Sequence, residues 1–204
     1  ETIDLMYLHN SYETQAHVLP NQEAYFDRLA KAFEFYESKR TTNDIQYYGM
    51  ATWLCFRAKP DEDKIHLNLD KSMEVARKIG GTDHGFRFIQ VPIGVLMPEA
   101  LVENWQEINE QFKPLVSVAN LLHMNVMVSK PILEGKVKDI KIESMNEISD
   151  PVSKHLQLIR SMPPRCIIST MVGMKQVSHL NSNFSVIQMP PLSRDEWMKT
   201  MKLK

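Results

Sequence analysis

Short apolar runs alternate along this chain with longer stretches in which apolar residues return every three or four positions. The first run is Ile3-Asp4-Leu5-Met6-Tyr7-Leu8-His9-Asn10, and further runs occupy positions 45–53, 86–91, 126–129 and 166–170. Between the first two, Tyr25, Phe26, Leu29, Ala32, Phe33 and Tyr36 form a helical stripe that Asn21 would cap. Leu69, Met73, Ala76 and Ile79 mark a second helix, stopped by Gly80-Gly81. Trp105, Ile108, Phe112, Leu115, Ala119 and Leu122 read as a long third helix, kinked or split at Pro114. Asp150-Pro151 starts a fourth, with Val152, His155, Leu156 and Ile159 on its buried face, and Pro163-Pro164 ends it. Val177, Leu180 and Phe184 indicate a short last helix.

Strand and helix therefore alternate five times, the pattern of successive βα units on a parallel sheet or barrel. The expected layout is one α/β domain over residues 1–186 and a surface tail over 187–204. The charged run Lys59, Asp61, Glu62, Asp63, Lys64 reads as a solvated loop, and residues 134–149 as an exposed one. Five units are too few to close an eight-stranded barrel. The chain opens on a strand, without an initiator methionine, so part of the fold is expected to be missing.

Composition narrows the function. The 204 residues are 43% hydrophobic and 24% charged, ordinary for a globular domain. A net charge of −1 gives no electrostatic case for nucleic acid or an anionic membrane, and no apolar run reaches the length of a membrane span. Cys55 and Cys166 stand far apart and read as buried free thiols, which fits a reducing compartment. The thirteen methionines read as core filling. No ligand spacing joins His17, His66, His84 or His123, so no metal site is expected. Glu99 and Glu103 read as helix-dipole compensation. Neither GxGxxG nor a Walker sequence is present. Polar residues at the carboxyl ends of strands, His9 and Gln90 above all, are the candidates for chemistry; Trp53 reads as core or pocket wall.

Five segments in register resemble the aldo/keto reductases. Asp4-Leu5-Met6-Tyr7-Leu8-His9-Asn10 is similar to the family's fourth strand, Tyr47-Tyr48-Gly49-Met50-Ala51-Thr52-Trp53 to its fifth, and Phe88-Ile89-Gln90-Val91-Pro92 to its sixth. Val126-Met127-Val128-Ser129-Lys130-Pro131 resembles the seventh, and the stretch from Ile159 through Met171-Val172-Gly173-Met174 to Asn183 the last helices and eighth strand. The resemblance implies a partial (β/α)₈ barrel lacking the first three βα units. It implies NAD(P)H-dependent reduction of aldehydes or ketones, with NADP(H) as cofactor and a tyrosine, tuned by a lysine and an aspartate, as proton donor.

By that register His9 takes the place of the carbonyl-orienting histidine. Gln90 matches the glutamine on the nicotinamide carboxamide, and Asn183 an asparagine near the adenine. Gly173, Met174 and Lys175 fall in the loop around the adenosine phosphate. Ala51-Thr52 replaces the frequent Ser-Asn, Ser129 a frequent aromatic residue, and His179 a frequent arginine. The tyrosine, lysine and aspartate would belong to the first three units, supplied by an upstream segment or a separate chain. Tyr7 and Tyr48 lie inside strands and do not replace them. The alternative is a non-catalytic, aldo/keto reductase-like structural or interaction subunit of a larger assembly. A nucleotide-sensing subunit without turnover is a third reading.

Overall fold

The structure is a computed structural model that describes residues 1–60, 64–163 and 166–201. Asp61, Glu62 and Asp63 of the expected charged loop, Pro164 of the expected helix stop and the last three residues of the expected tail lie outside the described residues.

Five strands form one all-parallel sheet: β1 (Ile3–His9), β2 (Ile45–Ala51), β3 (Phe86–Pro92), β6 (Asn125–Ser129) and β7 (Ile167–Thr170). Their spatial order is their order in the chain, so the sheet is singly wound, as in a barrel, and lacks the reversal of a doubly wound sheet. Register pairs run Tyr7↔Gly49, Gly49↔Phe88 and Gln90↔Met127. Gly49 is required there: a Cβ would overlap the Phe88 carbonyl oxygen and lie 2.8 Å from the Tyr7 ring. The result is a partial barrel.

Helices cover one face of the sheet. α1 (Gln22–Thr41) starts at Asn21, whose side chain accepts the Ala24 N–H at 2.9 Å. It buries Tyr25, Phe26, Leu29 and Phe33. α2 (Leu69–Gly80) is capped by Asn68 and ends at Gly81 with φ 65°, the left-handed stop that glycine adopts without strain. Between these helices and the sheet lie Tyr48, Met50, Phe86, Ile89, Val91, Val126 and Val128. The opposite face is far more open: Tyr47 is 41% exposed, whereas its neighbour Tyr48 is fully buried. At the amino end of the sheet, Glu37 accepts from the Tyr48 hydroxyl (2.8 Å), the Gly85 N–H (2.7 Å) and Arg40 (2.6 Å). Burial alone would raise the Glu37 carboxyl, but these donors hold it below the ordinary range.

Three expectations change. The long helix over 105–122 is instead a β4 (Gln106–Ile108)–β5 (Gln111–Lys113) hairpin and α4 (Leu115–Leu121), preceded by a short α3 (Glu99–Val102). Asn109 and Glu110 both take positive φ, 49° and 60°, the two-residue turn whose twist suits a hairpin. Pro114 breaks the segment, as the expected split would, and stands at the N-cap of α4. The 134–149 stretch is not wholly exposed, since Val137, Met145 and Ile148 are buried. The 187–204 segment, read as a surface tail, carries α7 (Arg194–Met201), and its Trp197 is buried with the indole N–H donated to Leu158 O at 2.8 Å. α5 (Pro151–Arg160) starts as expected at Asp150, which accepts the Ser153 N–H at 2.8 Å, and α6 (Val177–Ile187) extends three residues past Phe184. Among the described residues no helix is long and apolar enough to cross a membrane.

Candidate functional site

The carboxyl ends of the strands open into a cavity of about 930 Å³. Alternation places every second strand residue on the uncovered face. His9, Ala51 and Gln90 form one row on it, through the register pairs His9↔Ala51 and Ala51↔Gln90. Backbone bonds across the strand ends hold that row: Asn10 N–H to Ala51 O at 2.7 Å and Thr52 N–H to Gln90 O at 2.9 Å. Asn10 turns the chain away directly after His9 with φ 48°, a conformation asparagine tolerates. His9 is exposed, so its ring is open to whatever enters.

Ala51, Thr52, Gln90 and Ser129, near the strand ends, and Gly173, Lys175, His179 and Asn183, after β7, line the cavity, so eight of the nine expected cofactor residues share it with His9. Met174 is the exception. Its side chain faces a neighbouring groove of about 300 Å³ with Phe184 and Ile187. Thr52 is 5% exposed, and its hydroxyl oxygen has no hydrogen-bond partner. Gly173 has open space where a Cβ would stand, so backbone there is approachable. Lys138, Glu134 and Asp150 also line the cavity, and none of them was expected there from the sequence. Lys130 is ion-paired with Glu134, whereas Lys138 and Lys175 place ammonium groups on the rim with no acidic partner among the described pairs.

Neither internal tyrosine joins this site. The Tyr7 hydroxyl donates to the Met127 sulfur at 3.0 Å, and burial pushes its pKa up to about 12. Tyr48 points to the helix side, bound to Glu37, and burial together with that carboxylate raises it further. Cys55 and Cys166 are free and buried. Burial, then the adjacent Glu13 carboxylate, keeps Cys55 well above the ordinary thiol range, so it is no nucleophile. Among the described residues no three His, Cys, Asp or Glu side chains gather as metal ligands.

The residues present suit a dinucleotide. Gln90 at a strand end, Lys138, Lys175 and the open Gly173 line one cavity of about 930 Å³. No protein-family model matches the sequence, and no curated protein matches it. Solved structures do. An aldo/keto reductase from Klebsiella pneumoniae in complex with NADP and acetate matches 100% of this chain and 60% of its own, at 12% identity and TM-score 0.61. The aldo-keto reductase AKR11C1 from Bacillus halodurans, in its holo form, matches over 98% and 60% at 15% identity and TM-score 0.53. A variant of Gox0644 in complex with NADPH matches over 98% and 58% at 11% identity and TM-score 0.57. The chain thus has the fold of the aldo/keto reductase barrel and spans about three fifths of the length of the structures it matches.

Proposed function

We propose that this chain forms the cofactor-binding part of an NAD(P)H-dependent carbonyl reductase of the aldo/keto reductase type. The observation that carries the reading is the gathering of His9, Thr52, Gln90, Lys175, His179 and Asn183 around one cavity at the carboxyl ends of parallel strands. When bound, the nicotinamide supplies a hydride to a carbonyl carbon. Gln90 holds its carboxamide. Lys175 and Lys138 neutralise phosphate, and His179 and Asn183 flank the adenosine. His9 presents a ring nitrogen to the carbonyl oxygen and orients it. The proton for that oxygen comes from a tyrosine outside these residues, on units supplied by an upstream segment or by a separate chain.

Titration of the protein with NADPH, followed by the nicotinamide emission, tests this. Saturable binding that weakens in Lys175→Glu supports it; no binding by the folded protein overturns it. A second reading has its own observation. On β7 and α6, Ile168, Val177, Phe184 and Ile187 are exposed, with Val177 at 74%, and Ile168, Phe184 and Ile187 line one groove. Such surface calls for a cover, which favours a barrel-derived subunit of a larger assembly. Under that reading the folded protein binds no NADPH, and its solubility improves when Phe184 and Ile187 become polar.

A further inference from the structure

We infer that Glu13 is a positioning residue for the cavity, presetting Trp53 as its aromatic wall. This rests on the dinucleotide reading of the same cavity. Glu13 lies in the loop after β1, four residues beyond His9. One oxygen of its carboxylate accepts three successive backbone N–H groups, from Trp53 (2.9 Å), Leu54 (3.0 Å) and Cys55 (3.1 Å). Those groups open a short 3₁₀ turn, Cys55–Arg57, which directly follows the strand end that carries Ala51 and Thr52. The loop after the first strand is thereby bolted to the loop after the second.

The same turn holds Trp53 from its other side. Arg57, 7% exposed, donates Nε to the Trp53 carbonyl at 2.8 Å, and its guanidinium lies 5.8 Å from the indole centroid. Glu99 fixes that guanidinium at 2.9 Å. Trp53 is thus held at its N–H, its carbonyl and its ring, while 43% of the residue stays exposed and it lines the cavity. An exposed tryptophan held at three points is a preorganised stacking surface for a flat ring, with little ordering left to do on binding.

Glu13's second oxygen is buried without a hydrogen-bond partner. Glutamine would keep an acceptor for the N–H groups; alanine would release all three.

The test is acrylamide quenching of the ligand-free protein, with the Trp53 contribution isolated by subtracting a Trp53→Phe variant. Glu13→Ala should raise Trp53 quenching about twofold, because the loop opens locally, while Glu13→Gln stays near wild type. If Glu13→Ala does not fold, Glu13→Asp keeps the charge and withdraws the oxygen, and is expected to show the same rise. Equal quenching in the wild type and a folded Ala or Asp variant overturns the proposal, as does a Gln variant no better than Ala. NADPH affinity is read in parallel. It should fall about tenfold in Glu13→Ala, the loss expected for a misplaced binding surface. Wild type that binds no NADPH sinks the cofactor reading, yet leaves the quenching comparison to decide the role of Glu13.

Discussion

Replacing Gln106 by methionine should cost more than any surface substitution in this protein. Gln106 is 1% exposed at the start of the β4–β5 hairpin, and its amide is fully used. Nε2 donates to Phe56 O at 2.8 Å and to Leu67 O at 3.0 Å, and Oε1 accepts the Leu69 N–H at 2.8 Å. Methionine has similar volume and leaves two carbonyls and one N–H buried without partners. At about 1–3 kcal/mol for each orphaned group, and with some relaxation, the loss comes to about 3–5 kcal/mol. That is a third or more of the total for a marginally stable domain. In a domain of this size it corresponds to roughly 8–15 °C in Tm. Urea denaturation of both proteins, with m-values compared to confirm a common transition, measures it. Gln106→Glu should do worse, since an acceptor would face two carbonyls. A Met variant within 1 kcal/mol of wild type would refute the reasoning, and would mean that water reaches these three groups.

Acid should destabilise the fold through two histidines. His84 has a buried Nδ1 without a partner, and burial, then Arg87, lowers its pKa to about 4; burial also lowers that of His155. The unfolded chain takes up a proton on His84 near pH 6.5 and the native protein near 4, so stability falls as pH drops through that window, by up to about 3 kcal/mol for His84. Denaturation at pH 7.5 and 4.5, with His84→Gln as the flatter control, checks it. Gly49→Ala should cost about 3 kcal/mol by overpacking against Phe88 and Tyr7, read as a lowered urea midpoint. Trp197→Ala should release α7, at a local cost of about 3–5 kcal/mol, seen as faster amide exchange confined to that helix.

Elements with one clean period were legible in the sequence. Tyr25 to Tyr36 keep one helical stripe within α1, and each parallel strand centres on a short apolar run, so order and type could be read directly. The 105–122 region misled because Trp105, Ile108 and Phe112 happen to fit a helical spacing, and because Asn109-Glu110 lacks the glycine that usually announces a tight hairpin. Pro114 was ambiguous between a kink and a helix start, which only the surrounding chain resolves. At the site, His9 and Gln90 were readable from their position at strand ends. Glu13 was not, because its partners are main-chain N–H groups some forty residues away, and these carry no side-chain signature. Lys138 was likewise hidden in a polar run whose fold depends on left-handed turns at Leu133, Glu134 and Gly135.

The sheet's strand order also sets a timetable. Ile3 pairs with Ile45, Tyr48 with Phe86, Phe88 with Asn125 and Val126 with Ile167, each about forty residues further along. No pairing has to wait for a distant end of the chain, so loop-closure costs are modest and alike at every step. A ribosome releasing this polypeptide would hand each new strand to an edge already built by the one before. The growing sheet can add its units one at a time, each on the strand before it.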